Sequence, residues 1–321
     1  MSVPTVVGTE RSPPGTIGDA AALVFRRRVQ AIDRIARTLI SVSGIAIIAA
    51  VLGIGLFLFL EIAPLLAGAR VQPGRVRPAL LDGATPRFVR VDEHQERALV
   101  VGADPVVHVV GLSDNEPDDM VPLAGLEGHR ISAVSSTLQM PTVALGTERG
   151  VIWIGVLDLR TAFDGAVRHI QPVVEPAWIV EAVPGHRIEA LAYRDAGSRS
   201  VLASIVADGP HVIVTRITTQ PGLIEPVRRA HENLGVPMAP FGEPTTVLLN
   251  ETGTQLLAGT SYGFVTRWHL PQAGNAELIE AVQAVPGGSV TTMAYLLGNR
   301  SIAVGGSEGS VATWSLVRDE A

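Results

Sequence analysis

From Thr38 to Leu60 the chain runs for 23 residues without a charge, TLISVSGIAIIAAVLGIGLFLFL. A helix rising 1.5 Å per residue carries that run over about 35 Å, more than the ~30 Å hydrocarbon core of a bilayer. The run has no polar face to offer water, so a purely soluble globule is not the expected fold. It also explains why the chain is 47% hydrophobic and only 17% charged, where an average globular protein carries nearer a quarter charged residues. Ahead of it, Ala22, Phe25, Val29, Ile32, Ile35 and Leu39 recur at helical spacing. Asp19 is placed to cap an amphipathic lead-in helix at the membrane surface that runs into the span.

Arginine placement sets the expected orientation. Arg26, Arg27, Arg28, Arg34 and Arg37 stand on the N-terminal side of the span, against Arg70, Arg75 and Arg77 on the other. Positive charge favours the cytoplasm, so the N-terminus is expected inside and the rest outside. The competing reading is a cleaved signal peptide, for which Ala67-Gly68-Ala69 offers a site. The apolar run exceeds the 7–15 residues of a signal core, and the segment before it is long, so a single-span anchor is favoured. Four parts follow: a cytoplasmic segment (1–37), the span in the lipid bilayer (38–60), a linker (61–80) and a C-terminal domain (81–321). The overall charge of −6 divides into +3 over residues 1–37 and −9 over residues 61–321. An acidic external domain is a poor partner for nucleic acid or anionic lipid.

After the linker the helical period gives way to short β-type runs. Three resemble one another: VALGTERGVIWI (143–154), LLAGTSYGFVTRW (256–268) and IAVGGSEGSVATW (302–314). ALVVGADPVVHV (98–109) is a weaker copy and VLASIVADGPHVIV (201–214) a degenerate one. Each reads as a strand, a tight turn with glycine where φ is positive, and a second strand. Anchored on Gly102, Gly146, Ile205, Gly259 and Gly305, the spacings are 44, 59, 54 and 46. A β-rich period of 40–60 residues predicts propeller blades. Gly128-His129 ahead of Trp153, and Gly185-His186 in the same place ahead of the 201–214 hairpin, resemble the G-H…W-D pattern of WD40 repeats. Trp268 and Trp314 take the Trp place but are followed by His269 and Ser315 rather than Asp. The expected fold is one N-terminal transmembrane helix followed by an all-β, WD40-like propeller of about five blade-like repeats, with ring closure left open.

No catalytic, cofactor-binding or metal-binding residue is assigned, and no enzyme activity is expected. The chain has neither Cys nor Lys, which removes thiolate sites, Schiff-base lysines and Ser–Lys dyads. Gly305–Gly309 fits G-x-S-x-G, but a nucleophile elbow must open a helix, and SVATWSL alternates like a strand. Gly259–Gly263 fits the same pattern in another repeat, so Ser261 and Ser307 read as turn residues. Asp114, Glu116, Asp118 and Asp119 lack the spacing and glycine of a calcium loop. His231-Glu232 lacks the second His of a zincin. His129 and His186 are expected to hydrogen-bond between strands of a blade.

The stretch Arg34-Ile35-Ala36-Arg37, the aliphatic run, and Leu56-Phe57-Leu58-Phe59-Leu60-Glu61-Ile62-Ala63-Pro64-Leu65-Leu66 resembles the N-terminus of long-form phosphate-type ABC transporter permeases (the PstC family). The resemblance implies a first transmembrane helix of the bacterial inner membrane followed by a periplasmic domain with WD40-like repeats. Its implied partners are a multi-span ABC permease and a substrate-binding protein. Trp314–Glu320 then resembles an interior blade strand. The family's pore helices and its coupling loop to the ATPase have no counterpart here, so this chain alone transports nothing. The alternative is an independent anchored scaffold or sensor of the cell envelope.

Overall fold

The structure is a computed structural model that describes residues 17–66, 81, 84–112, 118–137, 140–165, 167–197, 199–220 and 228–316. The chain divides into two compact units, residues 1–76 and 77–321. Ala67-Gly68-Ala69, Asp114 and Glu116 lie outside the described residues.

The first unit holds one helix, α1 (Ile17–Leu66), of 50 residues. The lead-in segment and the apolar run therefore share one continuous helix of about 75 Å. Asp19 is its third residue rather than its cap. Within Ile32–Ala63 the most apolar stretch of 18 residues has a mean hydropathy of 2.7, and none of that stretch is buried in protein. Hydroxyls along it find partners on their own helix. Thr38 donates to the Arg34 carbonyl at 2.9 Å and Ser43 to the Ile40 carbonyl at 3.0 Å, which lowers the cost of surrounding them with hydrocarbon. Pro64, in the last turn, has no N–H to return to Leu60, and α1 ends two residues later.

The second unit is made of five antiparallel sheets, each a meander of strands consecutive in sequence. Sheet 1 holds β1 (Phe88–Val91), β2 (Arg97–Val101), β3 (Val106–Gly111) and β4 (Asp119–Pro122). Sheet 2 holds β5 (Ile131–Thr137), β6 (Met140–Thr147), β7 (Val151–Asp164) and β8 (Val167–Glu181). Sheet 3 holds β9 (Ile188–Asp195), β10 (Arg199–Val206), β11 (His211–Gln220) and β12 (Arg228–Pro237). Sheet 4 holds β13 (Pro244–Leu249), β14 (Gln255–Thr260), β15 (Phe264–His269) and β16 (Glu277–Gln283). Sheet 5 has three strands among the described residues: β17 (Val290–Tyr295), β18 (Ser301–Gly306) and β19 (Val311–Ser315). All five hairpins read in the sequence are the second and third strands of a sheet.

The core lies between sheets. Leu99, Val101 and Val109 of sheet 1 pack with Val143, Leu145 and Trp153 of sheet 2. Ile152 and Ile154 on the other face of sheet 2 meet Ile188, Leu191 and Leu202 of sheet 3. Val201, Ala203 and Ile205 then meet Leu249, Leu256 and Trp268 of sheet 4, and Leu257 and Val265 meet Val290, Ile302 and Val304 of sheet 5. Successive side chains point to opposite faces, so a sheet sandwiched on both sides needs apolar residues at nearly every position. That is why β10 reads SVLASIV without polar alternation. Among the described residues the outer faces of the two end sheets are the more open. Val89 and Val91 of β1 are 53% and 46% exposed, and Val311 of β19 is 77% exposed.

The recurring glycines have two separate duties. Gly150, Gly263 and Gly309 turn the hairpins with φ of 81°, 79° and 77°, the left-handed region that favours glycine. Gly146 and Gly259 do not have positive φ; they make room. A Cβ on Gly146 would lie 2.9 Å from Ile188 Cγ2, and one on Gly259 would lie 2.5 Å from Val290 Cγ1. Each lets the first strand of the following sheet approach. Gly102 is one residue out of this register. Val101 pairs with Val107 as Gly146 pairs with Ile152, six residues on in each case, so Val101 rather than Gly102 holds the place of Gly146.

Candidate functional site

Side chains singled out in the sequence prove to hold the sheets together. In sheet 4 the Ser261 N–H donates to the Glu243 carbonyl at 2.8 Å, and Ser261 Oγ accepts from the Glu243 N–H at 3.0 Å. In sheet 5 Ser307 repeats both contacts with Ser289, at 2.9 and 3.1 Å. Each serine ties its hairpin turn to the entry of the sheet's first strand, and its oxygen is spent as an acceptor. The two G-x-S-x-G matches are therefore one structural device used twice.

The histidines do not bridge strands as expected. His129 and His186 lie in the connections that enter β5 and β9. The His129 N–H donates to Leu126 O at 3.0 Å, and Nδ1 of this ring is buried without a partner among the described residues. His186 Nδ1 lies 2.9 Å from Pro184 O in an exposed turn. Their neighbours are backbone groups of their own turns, where the chain must reverse before the next sheet. His231 and Glu232 lie on β12, where Trp178 packs at 6.0 Å, centroid to centroid, from the His231 ring. Among the described residues no group of His, Asp and Glu is gathered closely enough to hold a metal ion.

A polar cleft of about 700 Å³ opens between sheets 4 and 5, lined by Asn250, Glu251, Arg267, Tyr295, Asn299 and Arg300. Arg267 donates from Nε to Gln255 at 3.2 Å and from Nη1 to Glu280 at 3.1 Å. The Tyr295 hydroxyl is buried without a hydrogen-bond partner among the described residues, and burial pushes its pKa up to about 12. A phenol so weakly acidic stays neutral near pH 7 and is a poor general acid or base.

Two backbone features face outward. The first is the β7–β8 hairpin, paired from Val151↔Glu181 out to Asp164↔Val167, whereas β6 accompanies β7 only as far as Val156. Its outer half stands beyond the sheet, with Phe163 and Val167 each 68% exposed near the tip. Sheet 1 braces it along its length. Arg90 donates to the Leu157 carbonyl at 2.8 Å, and Arg168 pairs with Glu96. Sequence reasoning passed over this hairpin, although Asp164-Gly165 between two alternating runs is the signal for one. The second is the edge of β19, which among the described residues pairs with β18 alone.

No protein-family description matches the chain, and no curated protein matches its sequence. Among solved structures, the β-propeller domain of Myceliophteria thermophila Cps50 (Swd1) is similar, at 14% identity and a TM-score of 0.47 over 70% of this chain and 67% of that one. Chaetomium thermophilum Raptor is similar at 13% identity and a TM-score of 0.46, over 73% of this chain. The match spans only 19% of Raptor. The fold is a WD40-like β-propeller. That rests on five consecutive four- or three-stranded meanders joined face to face through apolar cores. The propeller presents turns and strand edges at its surface.

Proposed function

We propose that the chain is a membrane-anchored interaction platform. In this reading α1 crosses a bilayer within Ile32–Ala63, the Arg-rich N-terminal segment stays in the cytoplasm, and the propeller meets its protein partners on the other side. The observation that carries it is the pairing of a wholly uncovered apolar helix with a propeller whose conspicuous polar side chains serve structure. Leu52 is 68% exposed and Phe57 64% exposed, and burying such side chains in lipid is worth about 1.5–3 kcal/mol each. The five arginines close before the span, Arg26, Arg27, Arg28, Arg34 and Arg37, against three after it, support the orientation.

A narrower form of the proposal makes the propeller the periplasmic accessory domain of a phosphate-type ABC importer in the bacterial inner membrane. It would dock on the multi-span permease or on the substrate-binding protein. Support for it is the order of elements and the match at Phe57, Leu60, Pro64 and Leu65.

Reporters fused at the C-terminus test the topology. A reporter active only outside the cytoplasm is expected to work there, and activity of a cytoplasm-only reporter would overturn the topology. Purification of the tagged chain in mild detergent tests the narrower form. An ATPase and a multi-span permease are expected to travel with it, and their absence from a stable complex with other envelope proteins would favour an independent scaffold.

A further inference from the structure

Sheets 3 and 4 meet through an apolar cluster that ends in two arginines. Val201 of β10 pairs with Arg216 of β11, and Arg199 pairs with Thr218. Arg199 and Arg216 are therefore diagonal neighbours on one face of sheet 3. That face carries Val201, Ala203 and Ile205 against Trp268 and Leu270 of sheet 4. Both arginines reach across to the connection between β15 and β16. Arg199 Nη2 donates to Pro271 O at 3.2 Å, and Arg216 Nη2 donates to Gly274 O at 2.8 Å.

The rest of the two guanidinium heads is poorly served. Arg199 Nε, Arg216 Nε and Arg216 Nη1 are buried with no hydrogen-bond partner among the described residues, and Arg216 is only 4% exposed. One carboxylate comes near. Glu232 of β12 stands opposite Arg216 in register, with Oε2 3.8 Å from Nη1. That distance is too long for a hydrogen bond, and the Glu232 side chain is 71% exposed. Desolvation lowers the pKa of Arg199, and the charge of Arg216 beside it lowers it further, yet a guanidinium keeps its proton in a protein. Two positive charges thus share a closed site with one solvated negative charge. Buried charge is costly unless it is paired, and a buried donor without an acceptor marks the place of a bound water or ion. Water would satisfy the donors and leave the charge uncompensated.

We propose that Arg199 and Arg216 hold a small anion of chloride size, which accepts from Nε of Arg199 and from Nε and Nη1 of Arg216. Bound there, it locks the β15–β16 connection of sheet 4 onto sheet 3. Enclosure sets the size: the three nitrogens are closed off from solvent, which suits a monatomic ion better than a carboxylate or phosphate. A sphere of negative charge also makes no demand for the parallel two-bond fork that planar oxyanions take from arginine. Glu232, at the rim, opposes the anion by its own charge. This goes beyond the membrane proposal and does not depend on it, since every group involved belongs to the second unit.

The test uses the full chain in mild detergent at fixed ionic strength, with gluconate, too bulky for the site, exchanged stepwise for chloride. The melting temperature is expected to rise saturably with chloride, and the chloride NMR line to broaden when the protein is added. Arg199→Met and Arg216→Met keep much of each apolar stem and should raise the half-saturating chloride concentration at least about tenfold. Glu232→Gln removes the opposing charge and should lower it about threefold. Should the methionine variants fail to fold, the wild-type titration and Glu232→Gln still decide, because neither removes a buried arginine. A melting temperature indifferent to chloride, with no line broadening, would overturn the proposal and leave water in the site. A chloride response that Arg199→Met and Arg216→Met leave untouched, or a half-saturation that Glu232→Gln does not move, would overturn it by placing the ion elsewhere.

Discussion

Sheets 4 and 5 share one hairpin design, LLAGTSYGFVTRW and IAVGGSEGSVATW, and reach different environments. Their turns are alike: the same backbone hydrogen bond, the same positive φ, the same serine clamp. Their burial is not, because sheet 4 has a neighbour on each face and a fourth strand, while sheet 5 has neither on its outer side among the described residues. Hairpin geometry is thus set locally, by glycine and short hydrogen bonds, whereas the energy that holds the hairpin is set by what lies next to it. Equivalent substitutions in the two sheets should therefore have unequal effects.

The largest contrast is expected at tryptophan. Trp268 is buried in the cluster between sheets 3 and 4, and its Nε1 donates to Thr266 at 3.0 Å. Trp268→Ala should cost about 3–5 kcal/mol. Trp314→Ala removes a side chain that is 36% exposed and should cost about 1 kcal/mol. Urea unfolding of the full chain in detergent, followed by β-sheet circular dichroism, reads both. Equal losses would mean that Trp314 is covered in solution.

Glycine gives the next contrast. Gly263→Ala would drive a Cβ into Val285 O and Gly288 O, 2.0 and 2.6 Å away, as well as straining φ, so about 3 kcal/mol is expected. Gly309→Ala pays the φ strain alone, about 1 kcal/mol. Thermal melts of the two variants separate these costs, and a Gly309→Ala melt as low as that of Gly263→Ala would show that a chain already crosses Gly309.

The hairpins were legible because their signal is local: an apolar run, a glycine at a left-handed position, a second run. The strands that flank them were not. FVRV in sheet 1 and DMVP at its far edge are too short for a period, and ELIEAVQ in sheet 4 carries charges that suit an outer strand and a surface helix equally. Gly146 and Gly150 look alike in a sequence, although one makes room for Ile188 and the other takes φ of 81°. The apolar span was plain from hydropathy. That α1 also takes in the charged residues 17–37 was not, because side-chain pattern changes there while the backbone does not. The candidate site was hidden most deeply, since an open strand edge is made of backbone and no residue type announces it.

Tyrosine offers the smallest contrast and the one set by pH. Tyr193 pairs with Leu202 in sheet 3 as Tyr295 pairs with Ile302 in sheet 5, so the two rings hold matching places. Burial pushes both pKa values up, chiefly by desolvating the phenolate; at Tyr193 a hydrogen bond with Ser200 opposes the rise, whereas Tyr295 rises to about 12 with its hydroxyl unpartnered. A phenol that titrates near 10 unfolded and about 12 folded holds its proton more tightly in the folded protein. Its contribution to stability is therefore complete below pH 10 and is lost as pH rises from 10 to 12, on the order of 2 kcal/mol in all. Tyr295→Phe should flatten that part of the stability–pH curve and leave stability at pH 7 nearly unchanged, because it removes a buried hydroxyl that makes no hydrogen bond. Urea midpoints of both proteins between pH 9 and 11.5 measure the difference, and parallel curves would show that Tyr295 is solvated and the cleft beside sheet 5 wider than it is here.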